Sequence, residues 1–196
     1  MDNLFLLTVD KYFEHTEIKE KILEKKEKFL EYIEIVSKWK EKINITGFSS
    51  EDFLFRGTVE PLLIFTKYKG VFFEEITDIG SGAGIPAISY AIFFENTSVN
   101  CIEVNKKKIA FLNFIKYSLN LHNLNISKNI PQKNFCITSR AFMNFNDFLK
   151  FLSEKRITYR YLIHFFKDNY KNSNELKIVS KIKYNNKYFQ VLYQKN

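Results

Sequence analysis

Thr77-Asp78-Ile79-Gly80-Ser81-Gly82-Ala83-Gly84-Ile85-Pro86 is the most informative stretch of this 196-residue chain. Three of only six glycines fall here at alternate positions. Without a Cβ, such a backbone can turn tightly and let a ligand come close. An apolar run precedes the glycines, and a helical pattern follows with Pro86 in its first turn. Strand, glycine loop and helix in that order form the context of a nucleotide loop. The spacing is G-x-G-x-G, whereas G-x-G-x-x-G seats a pyrophosphate on a helix N-terminus. Asp78, two residues before the first glycine, would repel phosphates. It suits a cation, such as the amino or sulfonium side of S-adenosylmethionine. Glu103 closes the second strand 23 residues after Gly80, where a carboxylate can accept hydrogen bonds from the ribose hydroxyls of an adenosyl ligand.

Outward from the loop, strands and helices alternate. Strands are predicted over residues 72–79, 98–104, 124–127, 135–138 and 159–165, with helices over 86–94, 106–120 and 145–152. Residues 177–183 and 187–193 form a closing hairpin around Asn185-Asn186. Such alternation predicts a parallel sheet covered on both faces. The first 70 residues read as helices. Ile18, Ile22, Phe29, Ile33, Val36 and Ile43 recur at helical spacing, with a stop at Asn44–Gly47. Ser49 with Asp52 resembles a capping box, and Pro61 kinks or splits the helix that follows. The domains expected are a helical extension, 1–70, and a ligand-binding domain, 71–196.

A chain of this size buries enough surface to need neither disulfide nor metal. Cys101 and Cys136 are too few for a disulfide framework, and no Cys/His spacing suits zinc. No apolar run is long enough to span a membrane, and the N-terminal residues lack a basic segment before an apolar one. A cytoplasmic location is the expectation. Residues 1–77 hold 12 basic and 15 acidic side chains, net −3, while residues 78–196 hold 18 and 7, net +11. The basic part favours a polyanion such as nucleic acid, or is simply a solvated lysine surface.

The chain resembles the small-subunit ribosomal RNA methyltransferase G family, also called glucose-inhibited division protein B. Lys38-Trp39 followed by Asn44-Ile45-Thr46 resembles its K-W-N…N-L-T segment, and Arg56 and Glu60 fall where it has R-H…D-S. Asp78–Pro86 resembles D-x-G-S/T-G-x-G-F-P. Glu103, Lys107, Phe111-Leu112, Leu119 and Leu121 track the next strand and helix. Ser139-Arg140-Ala141 resembles S-R-A, and Lys167 the later K-G. Departures are Lys40, Gly57, Glu60-Pro61, Ala87 and Asp168. Between Ser127 and Phe135 only about seven residues stand where the family has an R-x-E segment and a helix, too few for an ordinary parallel crossover.

The resemblance implies an α/β, Rossmann-like class I methyltransferase: a mostly parallel seven-stranded sheet with a C-terminal antiparallel hairpin and an N-terminal helical extension. It also implies transfer of a methyl group from S-adenosylmethionine to N7 of a guanine in small-subunit (16S) ribosomal RNA, by a monomer. The expected cofactor contacts are Asp78, Gly80, Ser81, Gly82, Gly84, Ile85, Glu103 and Arg140, with Asn129 and Ile130 of the shortened connection supplying what contacts remain in a trimmed adenine pocket. Lys106, Lys107, Lys108, Arg140 and Lys167 are expected to meet RNA. Guanine N7 carries a free lone pair and no proton, so no general base is needed, and none of His15, His122 and His164 is required. His164 reads as a satisfied core histidine and Trp39 as a core anchor. Two other readings stay open: an RNA-binding relative with a weakened cofactor site, and a methyltransferase for another substrate.

Overall fold

A computed structural model describes residues 1–14, 17–67, 73–184 and 186–196. His15, Phe72, Asn185 and the expected boundary at 70/71 lie outside the described residues. Five helices come first: α1 (Asp2–Tyr12), α2 (Glu17–Glu24), α3 (Lys26–Lys40), α4 (Ser50–Phe53) and α5 (Ile64–Lys67). There follow β1 (Glu75–Ile79), α6 (Ala87–Phe93), β2 (Ser98–Ile102), α7 (Lys106–Ser118), β3 (Leu124–Ser127), β4 (Lys133–Ser139), α8 (Phe145–Glu154), β5 (Thr158–Lys167), β6 (Leu176–Tyr184) and β7 (Tyr188–Lys195). The seven strands form one sheet in the order β3-β2-β1-β4-β5-β7-β6. The first five run parallel, and β7 lies antiparallel between β5 and β6.

Burial explains the pattern. Alternate side chains of a strand face opposite sides of a sheet. Ile76 joins the larger core, with α3, α6 and α7, while Ile79 joins the core under α8. Every residue of α6 is buried, which is why Ala87–Phe93 reads as an apolar run without a polar stripe.

The N-terminal region departs from expectation in two places. The helical stripe breaks between α2 and α3, and α3 stops at Lys40, not at Asn44–Gly47. Gly47 stands in open space without a left-handed φ, so it caps nothing. The amides of Lys42 and Ile43 both return to the Trp39 carbonyl, tightening the chain into a turn. Ser49 does cap: its Oγ accepts from the Asp52 amide and donates to Asp52 Oδ2. Pro61 splits the following helix, as a wide π turn over 54–59 gives way to a 3-10 turn over 60–62.

The connection from β3 to β4 is shorter than expected. Only residues 128–132 join the two strands, with no helix. The chain passes β2 and β1, since β3 is the sheet edge and β4 lies beyond β1, and Ile130 packs with the core under α8, which marks the face it crosses. Thr77, Asn100 and Asn125 stand side by side in register on that face. Asn100 Nδ2 donates to Thr77 Oγ1, and Asn125 Nδ2 to Asn100 Oδ1 and Ser98 Oγ. A helix would have required apolar side chains there. The sequence supplies amides and hydroxyls that satisfy one another, from buried Thr77 out to exposed Asn125.

Candidate cofactor site

The glycine loop leaves the carboxyl end of β1 and is held from both sides. The amides of Gly80 and Ser81 donate to the Ile102 carbonyl at the end of β2. Tyr32 of α3, fully buried, donates from its hydroxyl to the Ala83 carbonyl at 2.7 Å. Ser81 Oγ donates to the Asp78 carbonyl oxygen at 2.9 Å. All three glycines adopt left-handed φ, between +57° and +82°. Gly84 is packed inward, where a Cβ would strike Ile88 of α6 and crowd Leu112 of α7. Gly80 lies beneath the Phe142 ring, 2.5 Å from where its Cβ would be. Gly82 is open: only the Gly80 carbonyl oxygen and Lys108 Nζ come within about 4 Å of that position.

Two buried carboxylates flank this open bend. Asp78 is wholly buried, and neither of its oxygens closes a hydrogen bond of ordinary geometry among the described residues. Burial pushes its carboxyl up to about 8, which the nearby Ser81 side chain and Ala87 amide oppose only in part. Glu103 is better satisfied. Its Oε2 accepts from the Gly82 amide at 3.0 Å, and its Oε1 from the Val104 and Asn105 amides at 2.8 and 2.9 Å. A carboxylate offers about four acceptor sites, so roughly one is left for a ligand hydroxyl unless the Gly82 bond is exchanged. Ile85 is buried beside the loop. Asn129 is exposed, accepting from Ser127 Oγ through its carbonyl and donating back through its amide, and Ile130 packs partly on the α8 core.

Lys106, Lys107 and Lys108 open α7, three residues beyond Glu103. Asn105 caps them by accepting from the Lys107 and Lys108 amides. This satisfies donors that three lysines in a first turn could not. Lys167 is exposed at the carboxyl end of β5, the same sheet edge as the loop.

Arg140 leaves β4 at that edge but turns inward. It donates to Glu60 Oε2 at 2.6 Å and to the Arg56 carbonyl, and its guanidinium packs over the Phe48 and Phe165 rings. Glu60, wholly buried, also accepts from the Tyr184 hydroxyl, while its backbone carbonyl accepts from Gln190. Gln190 in turn accepts from the Ile64 amide. Burial beside Glu60 pushes the Tyr184 phenol strongly up. Arg140 thus ties the 54–64 segment to β4 and to the β6–β7 hairpin. Within the chain its guanidinium is engaged by Glu60, the Arg56 carbonyl and two aromatic rings.

His164 lies in the core, as the sequence suggests, but it is not satisfied. Its Nδ1 has no hydrogen-bond partner among the described residues, and burial against Phe145, Phe148 and Phe166 lowers its pKa to about 4. Trp39 is an anchor, edge-on to Phe111 and tilted against Phe114. Tyr32, Phe142, Tyr184 and Gln190 escaped the sequence reading. Phe142 directly follows Arg140-Ala141, so its position beside the site was within reach. The other three lie far from the loop in sequence.

Five parallel strands with the last strand inserted antiparallel, and a glycine bend at their carboxyl edge, define the class I methyltransferase architecture. Solved structures share the fold. One is M. capricolum TrmK in complex with S-adenosyl-homocysteine, with a TM-score of 0.54 and 14% identity over 72% of this chain and 70% of that one. Another is a protein of the NADB-Rossmann superfamily from Streptococcus agalactiae, with a TM-score of 0.51 and 13% identity over 65% and 64%. Within that class the chain belongs to the rRNA small subunit methyltransferase G family, whose sequence model matches residues 25–193. Proteins named Ribosomal RNA small subunit methyltransferase G from Brachyspira hyodysenteriae and Campylobacter hominis are 33% and 37% identical, over 82% and 66% of this chain and 81% and 73% of theirs. A namesake from Mesoplasma florum matches 49% of this chain and 40% of its own length at 38% identity.

Proposed function

We propose that this protein transfers a methyl group from S-adenosylmethionine to N7 of a guanine in small-subunit, 16S ribosomal RNA. One observation carries the reading: an open glycine bend at Gly82 between two buried carboxylates, one of which closes no hydrogen bond of ordinary geometry among the described residues. The residues fit the cofactor, which when bound supplies an electrophilic methyl on a sulfonium. Asp78 would face the cationic amino group, which restores the charge balance that burial withholds. Glu103 would take a ribose hydroxyl, and the Gly82 backbone would lie against the ligand. Gly80, Ser81, Gly84 and Ile85 shape the bend, and Asn129 and Ile130 border a trimmed adenine side.

Guanine N7 has a lone pair and no proton, so the protein supplies alignment and needs no general base. Rate then comes from positioning. Lys106, Lys107, Lys108 and Lys167 ring the same edge and would meet RNA phosphates, an electrostatic term that weakens with salt. Arg140 acts by holding the edge together. We also propose that the protein works as a monomer in the cytoplasm; no helix among the described residues is long and apolar enough to cross a membrane.

The test is mass spectrometry of 16S ribosomal RNA from a strain lacking the gene. Loss of one 7-methylguanosine, restored by the wild-type gene, supports the reading. An unchanged methylation pattern refutes it.

A further inference from the structure

We infer that Phe142 is the platform on which the acceptor guanine stacks, its ring face favouring the positive charge that the base acquires. This rests on the proposed transfer to guanine N7. Phe142 is 42% exposed, although it sits at the rim of the candidate site. It leaves β4 through Ala141, whose φ of +54° is left-handed. A non-glycine residue holds that conformation only where its surroundings impose it. The constraint is visible. The ring lies close over Gly80, its Cδ2 and Cγ 2.5 and 2.9 Å from where a Cβ on that residue would stand. Phe148 and Phe151 of α8 meet it edge-on, with centroids 6.4 and 5.9 Å away. The ring is therefore fixed in orientation while part of it faces solvent, at the point where β1 and β4 end side by side. Burial does not explain the exposed part. An exposed, oriented aromatic at the edge where a methyl acceptor must arrive is a stacking surface.

The chemistry gives the ring a further role. The N7 lone pair forms the new N–C bond, the bond from methyl to sulfur breaks with its electrons left on sulfur, and the positive charge passes to the purine. An aromatic face attracts a cation through its quadrupole. The stack therefore strengthens as the reaction proceeds, and an interaction stronger in the transition state than in the ground state raises kcat. Phe142 also covers Gly80, so a purely structural role would show first in cofactor affinity.

Full-length wild type, Phe142→Leu, Phe142→Tyr and Phe142→Trp separate the two. Single-turnover methylation of small-subunit ribosomal RNA is measured at saturating S-adenosylmethionine, and cofactor affinity by calorimetry. The expected result is a loss of about tenfold or more in the rate for Phe142→Leu. Tyr and Trp variants stay near wild type, and leucine, which still covers Gly80, leaves cofactor affinity almost unchanged. A Phe142→Leu rate equal to wild type, or a deficit abolished by saturating cofactor, overturns the inference. A wild-type protein that methylates no guanine N7 in this RNA overturns the underlying reading and this one with it. Should the leucine variant fail to fold, wild-type affinity for 7-methylguanosine monophosphate against guanosine monophosphate decides. Tighter binding of the cationic nucleotide, with ring-current shifts at Phe142, supports the stack, and equal affinity overturns it.

Discussion

Three glycines two residues apart do three different things. Gly84 makes room for α6 and α7, Gly80 for the Phe142 ring, and Gly82 leaves the bend open. Alanine at each would carry a left-handed φ, costing about 1–2 kcal/mol, but the consequences diverge. Gly84→Ala also drives a methyl into Ile88, so its Tm should fall further than that of Gly82→Ala. Gly82→Ala should keep its fold and lose cofactor affinity by about tenfold or more. Thermal melting with calorimetric titration checks both, and a Gly82→Ala protein that binds normally would remove the bend from the site. Asp78 has a signature of its own. Its carboxyl is pushed from 3.8 to about 8 in the folded state. Between those values the folded chain holds a proton that the unfolded chain has released, so stability falls as pH rises and levels off above about 8. Asp78→Asn cannot ionise. It should melt several degrees higher than wild type near pH 8 and converge with it near pH 4, while losing cofactor affinity. Parallel melting curves for the two proteins would contradict the buried carboxyl's role.

Elements here are joined by single polar residues where chain is short. Asn123, in the turn before β3, donates from Nδ2 to the carbonyls of Ala91, Phe94 and Thr97 at 2.8–3.1 Å. It closes the end of α6 and the approach to β2 together. Asn123→Ala removes a donor from all three carbonyls, of which Phe94's keeps the Thr97 amide, costing about 1–3 kcal/mol. Asn123→Asp also turns an acceptor toward them, so its Tm should fall further. Cofactor affinity should change little in the alanine variant, because α6 meets the loop through Gly84 and not through its far end. Equal stability of alanine and aspartate variants would show that the three contacts carry no weight. The β3–β4 connection shows the same economy: five residues replace a crossover helix, and buried Thr77, half-buried Asn100 and exposed Asn125 link side chains across the sheet face.

For the whole molecule, Glu60 is the residue through which distant parts communicate. It joins the N-terminal helical segment, β4 through Arg140, and the C-terminal hairpin through Tyr184 and Gln190. Removing one partner of a buried pair leaves an uncompensated charge at about 3–5 kcal/mol. Glu60→Ala should therefore lower Tm by roughly 10 °C, and Glu60→Gln by less, since it keeps the shape and part of the hydrogen bonding. A shift under about 2 °C for the alanine variant would mean that the three regions are held by apolar packing alone.

Local patterning was enough for the class of fold and for locating the candidate site. Alternating apolar strands and helices force a covered parallel sheet, and only a glycine-rich turn can follow a strand so tightly at Gly80–Gly84. It also announced the missing helix, because residues 128–134 are too few to hold one. Tertiary structure decided what local pattern cannot encode. Arg140 and Glu60 stand 80 residues apart, and only folding shows that Arg140 turns inward to that carboxylate. Which glycine faces a neighbour and which faces solvent depends on Phe142, Ile88 and Leu112, brought there by other elements. Local spacing fixes the turn, whereas burial and partner choice belong to the packed whole.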